Sequence, residues 1–355
     1  MPGMKPCFLL FASLVAICGL TACTGPDSNI QTARTQFGES VVLAGEQPAN
    51  LACLPRRNPP LTLRSTYLKD LPETVHYHEG VDYVVEYETG QIRRTPGSRI
   101  PDFQTNMLYG VEDFDHGQFP RFGNGGYFVF VDYAFRGKPD WPKQAPQTDL
   151  LPRTLTKLKR GESLRIVAFG DSITAGGDAT RPELIFWKRW ADELQRKYPA
   201  ATIEAINGAT GGDTTRNGLD RLTEKVLKEK PDLVLVGFGM NDHNKGGFGT
   251  PVEVFAQNLE TMIDRIREES GAEIILLSTF PPNPKWRYGS HNMPAYADAT
   301  EAVARRKQCA YVDIYGNWVA LASRKKPEDL LGNNINHPND FGHWMYFAVL
   351  QRLGL

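Results

Sequence analysis

The sequence predicts an α/β protein with a parallel sheet in its C-terminal half and a smaller antiparallel β-module before it. From residue 163 onward, short apolar runs rich in β-branched residues alternate with amphipathic segments at the spacing of βαβ units. Such alternation implies a parallel sheet with helices on both faces. From about residue 47 to residue 135 the pattern is that of strands and turns, as at residues 82–94, where Glu88-Thr89-Gly90 separates two strand-like runs.

These patterns divide the chain into five segments. We predict a signal peptide over 1–22, a tether over 23–45, a β-sandwich-like accessory domain over 46–136, a linker over 137–162 and the α/β domain over 163–355. The tether is assigned because residues 24 to about 40 are small and polar. The linker is assigned because three prolines between residues 139 and 146 resist both helix and sheet.

The first residues have the pattern of an export signal. Lys5 precedes an apolar run over residues 8–20 that is too short to span a bilayer. The run ends in Leu-Thr-Ala-Cys23, which resembles the lipobox of bacterial lipoproteins and implies cleavage before Cys23 and attachment of lipid to its sulfur. We therefore expect an exported lipoprotein, anchored to a membrane on its periplasmic or cell-surface side. A plain secretory signal with a chance cysteine is the alternative.

Charge and cysteine content restrict the partners. The chain has 40 Lys and Arg against 41 Asp and Glu, a formal net charge of −1, so we expect no nucleic-acid partner. Without the signal peptide, Cys53 and Cys309 are the cysteines that remain besides Cys23. An exported compartment permits a disulfide between them, but their spacing does not establish one, and two separate thiols are the other reading.

The α/β domain places a serine where ligands bind in such folds. Its five predicted strands are at residues 165–169, 202–206, 233–238, 273–278 and 311–315. Ser172 follows the first strand in Gly-Asp-Ser, at the edge of the sheet where loops and helix N-termini surround a crevice. Ser172 is therefore a candidate nucleophile, and capping of the next helix is the alternative.

A serine nucleophile needs a base and donors for an oxyanion, and the chain offers both near other strand ends. Strand two runs into a glycine-rich turn over residues 207–214, which exposes backbone N–H groups with no side chain in the way. Strand three ends before Asn241, whose amide can donate a hydrogen bond. His337 lies in a loop before the last helix, which is predicted to begin near Asp340. Another helix is predicted from a capping box at residues 250–253.

Four short sequence blocks follow one another along this half of the chain. They are Gly170-Asp-Ser172-Ile-Thr174, the glycine of Gly212-Asp-Thr, Gly239-Met-Asn241-Asp, and His337. In the order and approximate spacing of these blocks, the chain resembles the SGNH (GDSL) hydrolase family. The resemblance covers residues 163–355 and implies a flavodoxin-like three-layer α/β/α domain. It implies that Ser172 attacks an ester carbonyl, that His337 takes its proton, and that the Ser172 and Gly212 N–H groups and the Asn241 side chain hold the oxyanion. We expect no metal and no organic cofactor.

One position departs from the family pattern. The family usually has an aspartate three residues before the histidine, and this chain has Asn334 there. An aspartate fixes the imidazole tautomer and stabilises the imidazolium, whereas an asparagine offers no charge. Three outcomes are open: a Ser-His dyad oriented by the Asn334 or a backbone carbonyl, a carboxylate from elsewhere such as Asp340 or Asp329, or a slow or inactive enzyme.

The expected function is a serine esterase that removes acyl groups, most simply acetyl, from a carbohydrate or polysaccharide. A lipolytic or thioesterase activity is the first alternative, and an O-acyltransferase that protects its acyl-enzyme from water is the second. An alternative from another class is a surface carbohydrate-binding lipoprotein whose catalytic site has decayed.

Overall fold

Strands and helices follow one another along residues 34–355, which are the residues described by the structure, a computed structural model. The strands are β1 Arg34–Val41, β2 Ala49–Asn50, β3 Leu54–Pro55, β4 Thr62–Arg64, β5 His76–Tyr77, β6 Tyr83–Glu86, β7 Gln91–Arg94, β8 Val129–Arg136, β9 Ser163–Gly170, β10 Thr202–Asn207, β11 Leu233–Gly237, β12 Glu273–Leu277 and β13 Ala310–Val312. The α-helices are α1 Pro152–Arg160, α2 Ser172–Ala175, α3 Phe186–Lys197, α4 Thr215–Lys225, α5 Val252–Ser270, α6 Met293–Lys307, α7 Ile314–Ala322, α8 Pro327–Leu330 and α9 Asp340–Leu350. The predicted signal peptide and Cys23 lie outside the described residues.

A five-stranded parallel sheet forms the centre of the C-terminal half. Its strand order is β10-β9-β11-β12-β13, and every neighbouring pair is parallel. Strands β11 and β12 are buried along almost their whole length because helices cover both faces of the sheet. The predicted fold class is thereby confirmed, and the first strand of the α/β half, β9, occupies an inner position of the sheet, with Ser172 directly beyond its carboxyl end.

The N-terminal β-module consists of two antiparallel sheets. One has the order β1-β8-β4-β5, with β3 also paired to β8, and the other has the order β2-β7-β6. The predicted hairpin is present as β6 and β7. Strand β1 lies in the second half of the segment predicted as a tether. Its sequence reads as a polar linker because it contains Gln36, Gly38 and Glu39, yet Gln36 and Glu39 are buried and the strand pairs with β8.

Buried polar groups connect β1 with the C-terminal half. Lys325 Nζ lies 3.0 Å from Glu39 Oε1 and 3.6 Å from Asp329 Oδ2, and the side chains of Lys325 and Glu39 have no exposed surface. Ser40 Oγ donates to the Asp329 carbonyl at 2.6 Å, and Val42 N donates to Asp329 Oδ1 at 2.9 Å. A buried charge that loses its partner costs several kcal/mol, so these contacts couple the stability of the β-module to that of the α/β half.

Some local predictions differ from the structure. Helix α5 begins at Val252 with Pro251 as its N-cap residue and no side-chain cap, so the predicted capping box does not form. Strand β13 ends at Val312 because Asp313 caps a further helix, α7. Cys53 and Cys309 are buried as free thiols, and burial raises the pKa of Cys53 to about 12 and that of Cys309 to about 11. Among residues 34–355, none of the helices is long and apolar enough to cross a membrane.

Candidate active site

Ser172 is the first residue of α2, and the turn before it is tightly built. Asp171 is the N-cap residue, since its Oδ1 accepts a hydrogen bond from Ile173 N at 3.0 Å. A Cβ at Gly170 would lie 2.2 Å from the Gly237 carbonyl oxygen, so only glycine fits between β9 and β11 at this point. The capping role considered for Ser172 therefore belongs to Asp171, and the Ser172 hydroxyl is left for another partner.

That partner is His337. Ser172 Oγ and His337 Nε2 are 2.8 Å apart, and His337 Nδ1 lies 2.7 Å from Asp178 Oδ2. The three side chains form a continuous row of hydrogen bonds from a hydroxyl through an imidazole to a carboxylate. This is the geometry in which a carboxylate fixes the histidine tautomer and leaves Nε2 free to accept the serine proton. Reasoning from the sequence missed Asp178, which is six residues after the serine.

A reversal of the chain after α2 brings Asp178 back to the histidine. Gly177 N donates to the Ser172 carbonyl at 2.8 Å, and Asp178 adopts a left-handed backbone with φ of +60°. Thr180 fixes the far side of this turn, because its N and Oγ1 both bond to the Asp340 carboxylate, at 2.9 and 2.7 Å. The turn is thus held at both ends, by the nucleophile's own helix and by the start of α9.

Two glycines make room for this arrangement. A Cβ at Gly177 would lie 2.7 Å from His337 Nδ1, and a Cβ at Gly332 would lie 2.4 Å from Asp178 Cβ. Real Cβ atoms essentially never approach so closely, so a larger residue at either position would displace the His337–Asp178 pair. The sequence Gly-Gly-Asp after the serine block is the signal that could have pointed to Asp178, although its meaning depends on where His337 lies.

Asn334, one of the groups considered for orienting His337, makes its hydrogen bonds with another residue. Asn283 Nδ2 donates to the Asn334 backbone carbonyl at 2.9 Å and to its Oδ1 at 3.2 Å. Asn334 is buried and adopts φ of +59°, a left-handed backbone that asparagine tolerates better than most residues. The other carboxylates considered are also engaged elsewhere: Asp340 accepts from Thr180, and Asp329 accepts from Val42, the residue after β1.

The loop that carries His337 is organised by an asparagine and by the β-module. Asn333 Oδ1 accepts from the backbone N–H groups of three residues, among them His337 at 2.9 Å. Asn124 of the β-module is fully buried, donates through its Nδ2 to the Leu331 carbonyl at 3.0 Å, and donates through its backbone N to the Gly332 carbonyl at 2.7 Å. The β-module therefore contacts the backbone on which the histidine is mounted.

The predicted oxyanion donors come from the ends of β10 and β11. Gly212 adopts φ of +80°, and a Cβ at its neighbour Gly211 would lie 3.8 Å from Ser172 Cβ, so this turn adjoins the serine. Asn241 Nδ2 donates to the Asp213 carbonyl at 3.0 Å, which fixes the amide beside the same turn. The structure thus brings Gly212 and Asn241 to the same edge of the sheet as Ser172.

Two buried carboxylates support this edge. Burial raises the pKa of Asp171 to about 7, although the Ile173 N–H and the nearby His337 favour its ionised form. Burial also raises the pKa of Asp242, whose oxygens accept from the Thr215 N–H and hydroxyl at the start of α4. Within residues 34–355, His, Cys, Asp and Glu side chains form no cluster of three suited to a metal ion.

Comparison with known proteins gives matches over the same part of the chain. Residues 168–345 match the GDSL-like Lipase/Acylhydrolase family. An arylesterase of Vibrio mimicus is 30% identical over 198 residues, which cover 54% of this chain and 88% of the relative. An uncharacterized lipoprotein of Bacillus subtilis, YqeF, is 29% identical, with 47% and 76% covered. An acetylxylan esterase of Geobacillus stearothermophilus is 25% identical, with 56% and 97% covered.

Proposed function

Because the chain belongs to the GDSL-like lipase/acylhydrolase family of carboxylic ester hydrolases, we propose that Ser172, His337 and Asp178 act together as the catalytic residues of a serine esterase. The observation that carries this proposal is the row of hydrogen bonds at 2.8 and 2.7 Å through the imidazole. It also weighs against a binding protein with a decayed catalytic site, because the imidazole lies within hydrogen-bonding distance of both the hydroxyl and the carboxylate.

The mechanism follows from the order of these groups. Ser172 Oγ attacks the ester carbonyl while its proton passes to His337 Nε2, and Asp178 stabilises the imidazolium that forms. The oxyanion of the tetrahedral intermediate is held by the Ser172 and Gly212 N–H groups and by the Asn241 amide. His337 then gives the proton to the departing alcohol, which leaves an acyl-serine. A water molecule, deprotonated by the same histidine, attacks the acyl-serine, and the serine proton returns as the carboxylic acid departs.

We assign to Asp178 the role that the family usually gives to the aspartate at the position of Asn334. In this proposal the carboxylate comes from the turn after the nucleophile instead of the position three residues before the histidine. Unlike an asparagine, a carboxylate at this place can stabilise the imidazolium, so a rate close to that of a complete triad is expected, and neither a dyad nor an inactive protein is required.

For the substrate we favour acetyl esters of carbohydrates. The acetylxylan esterase that matches this chain over 97% of its own length supports this assignment. Esters of longer acyl chains are the second candidate, and the match to an arylesterase is equally consistent with an enzyme that accepts simple aryl esters.

Hydrolysis of 4-nitrophenyl acetate and 4-nitrophenyl octanoate by the purified protein tests both levels of the proposal. We expect turnover of the acetate, at least 10³-fold loss in Ser172→Ala, and a lower kcat/KM for the octanoate. Equal rates for wild type and Ser172→Ala would refute the esterase mechanism. A preference for the octanoate would leave the proposed mechanism in place but would contradict the acetyl ester as substrate and favour an ester with a longer acyl chain.

Anchoring through Cys23 remains part of the proposal. It is supported by the lipobox-like residues 20–23 and by the similarity to a Bacillus subtilis lipoprotein. Expression of the full chain in bacteria fed with a clickable palmitate should label the wild type and leave Cys23→Ser unlabelled, with Cys53→Ser as the control that keeps its label. Labelling of Cys23→Ser would exclude this anchor.

A further inference from the structure

A cleft opens between the β-module and the α/β half directly beside the candidate triad. It has a volume of about 510 Å³ and we call it the Tyr67 cleft. On one side it is lined by residues 65–68 and Gly125, and on the other by residues 178–181 and Asp340. A volume of this size lies within the range of binding sites for small organic molecules and accommodates one or two sugar rings.

Asp178 belongs to both the cleft and the row of catalytic hydrogen bonds. Its side chain lines the cleft, is 34% exposed and bonds to His337 Nδ1 at 2.7 Å. One residue of the cleft lining, Asp178, is therefore separated from the Ser172 hydroxyl by the His337 imidazole ring alone. With the ester carbonyl at Ser172, a group attached to the ester alcohol would have to extend past this one ring to reach the cleft.

The walls of the cleft suit a sugar better than an acyl chain. The apolar residues Leu68, Leu71, Phe128 and Phe130 line it together with the polar residues Ser65, Thr66, Glu73, Thr180 and Arg181. An alkyl chain in this space would desolvate the polar groups without offering hydrogen bonds, which costs free energy for each group buried. Sugar hydroxyls both donate and accept hydrogen bonds and can replace the water.

Tyr67 supplies a fixed aromatic surface in the same cleft. Arg189 Nη1 donates to the Tyr67 hydroxyl at 2.9 Å, its guanidinium lies 4.8 Å from the ring centroid, and the ring meets Phe130 edge to face at 5.6 Å. An aromatic ring held in place can pack against the apolar face of a sugar without losing further side-chain entropy.

The charge of the cleft restricts the sugar. The acidic residues Glu73, Asp178 and Asp340 are among those that line it, whereas Arg181 is the one basic residue in its lining. A chain of uronic acids would meet net repulsion there, whereas a neutral chain would not.

From these observations we propose that the Tyr67 cleft binds the alcohol part of the ester substrate, a neutral sugar chain, so that the β-module forms half of the substrate site. The inference rests on the proposed esterase function and adds the location and chemistry of the alcohol subsite. It gives the β-module a direct role in specificity.

A pair of adjacent glycines allows the cleft to be filled with a matched control. Gly125 lines the cleft and Gly126 does not. Neither has a left-handed φ, and a Cβ on either meets no atom within 4 Å, so both positions accept a side chain without strain. Steady-state kinetics of wild type, Gly125→Trp and Gly126→Trp are to be measured on partially O-acetylated xylotetraose and mannotetraose and on 4-nitrophenyl acetate.

We expect Gly125→Trp to raise KM for the acetylated tetrasaccharides about tenfold or more, with a clearly smaller change in kcat/KM for 4-nitrophenyl acetate, while Gly126→Trp changes neither appreciably. Equal behaviour of the two variants, or a parallel loss on both substrate types in Gly125→Trp, would overturn the proposal.

A wild type inactive on every acetate would refute the esterase function and leave the cleft to be tested by calorimetry with unmodified xylotetraose and mannotetraose. Binding that is lost in Gly125→Trp and kept in Gly126→Trp would then support the sugar site. Absence of binding to the wild type would exclude it.

Discussion

Two short segments lie beside His337 and differ in what they provide. The turn at residues 176–180, just after the nucleophile, delivers a carboxylate to Nδ1 at 2.7 Å. The loop at residues 331–337 holds the position where the family usually has that carboxylate, and here its Asn334 bonds to Asn283 and shapes the loop. In the proposed mechanism a carboxylate is required at the ring nitrogen, and here a segment other than the usual one provides it because its backbone lies close to His337.

The largest effect is expected from removing the charge of Asp178. Asp178→Asn keeps the size of the side chain but takes away the negative charge opposite the imidazolium, so kcat should fall by about 10²–10⁴ with a smaller change in KM. Steady-state hydrolysis of 4-nitrophenyl acetate measures this.

Asn334→Gly is the matched control for Asp178→Asn. Glycine tolerates the left-handed backbone of this position, and Asn283 keeps its bond to the residue 334 carbonyl, so kcat should stay within about threefold of the wild type. If Asn334→Gly lost as much activity as Asp178→Asn, the Asn334 side chain would be needed for catalysis and the assignment of the orienting role to Asp178 alone would be contradicted.

A steric change at Gly332 should disturb the same pair from the opposite side. Gly332→Ala places a methyl group 2.4 Å from Asp178 Cβ, which must move, so we expect kcat to fall about tenfold or more. Gly123→Ala is the control, since its Cβ would make only an ordinary contact of 3.5 Å with the Gly332 carbonyl. The loss should largely disappear in an Asp178→Asn background, and full additivity in this double-mutant cycle would contradict the explanation.

A smaller effect is expected from the β-module side of the histidine loop. Asn124→Ala leaves the carbonyls of Leu331 and Glu328 without their side-chain donor, which should lower the free energy of unfolding by about 1–3 kcal/mol and reduce kcat several-fold. Urea denaturation and kinetics on the same preparation measure both, with Gln104→Ala, an exposed residue of the β-module, as control. An unchanged kcat would mean that this contact stabilises the fold without positioning His337.

A prediction that concerns stability and not rate is the pH dependence of unfolding through Asp171. Its pKa is about 7 in the folded protein and about 4 in an unfolded chain, so between these values the folded state holds a proton that the unfolded state has lost. Stability from this group is therefore present below pH 4 and declines as the pH rises toward 7.

Asp171→Asn keeps the oxygen that caps Ile173 and removes this titration. The decline of the unfolding free energy between pH 4 and 7, measured in urea, should be shallower than in the wild type by about 1–4 kcal/mol over the interval. Asp149→Asn, an exposed carboxylate, should leave the slope unchanged. Parallel slopes for all three proteins would show that Asp171 titrates normally.

The parallel sheet could be predicted from the sequence because its strands are continuous apolar runs between helices of regular periodicity. The same regularity placed Ser172, Gly212 and Asn241 at strand ends, and the structure brings these residues to one edge of the sheet. Local sequence and topology are sufficient for such positions, since the carboxyl ends of neighbouring parallel strands always meet.

Asp178 and β1 could not be predicted in the same way because their environments are created by distant residues. Asp178 follows two glycines and reads as a surface turn until His337, 159 residues later, is placed against it. Glu39 makes β1 read as a polar tether because the burial of its carboxylate depends on Lys325. In both cases the partner residue lies far along the chain, so the local sequence pattern does not indicate the contact.

The buried ion pair between Glu39 and Lys325 also bears on how the protein is made. Residues 40 and 329 form a hydrogen bond beside this pair and are separated by 289 positions. Strand β1 therefore cannot make its native contacts until nearly the whole chain has been synthesised. Folding that waits for such distant contacts is slow compared with folding through local ones. A chain of this kind stays incompletely folded for longer, which would suit the export proposed from residues 1–23.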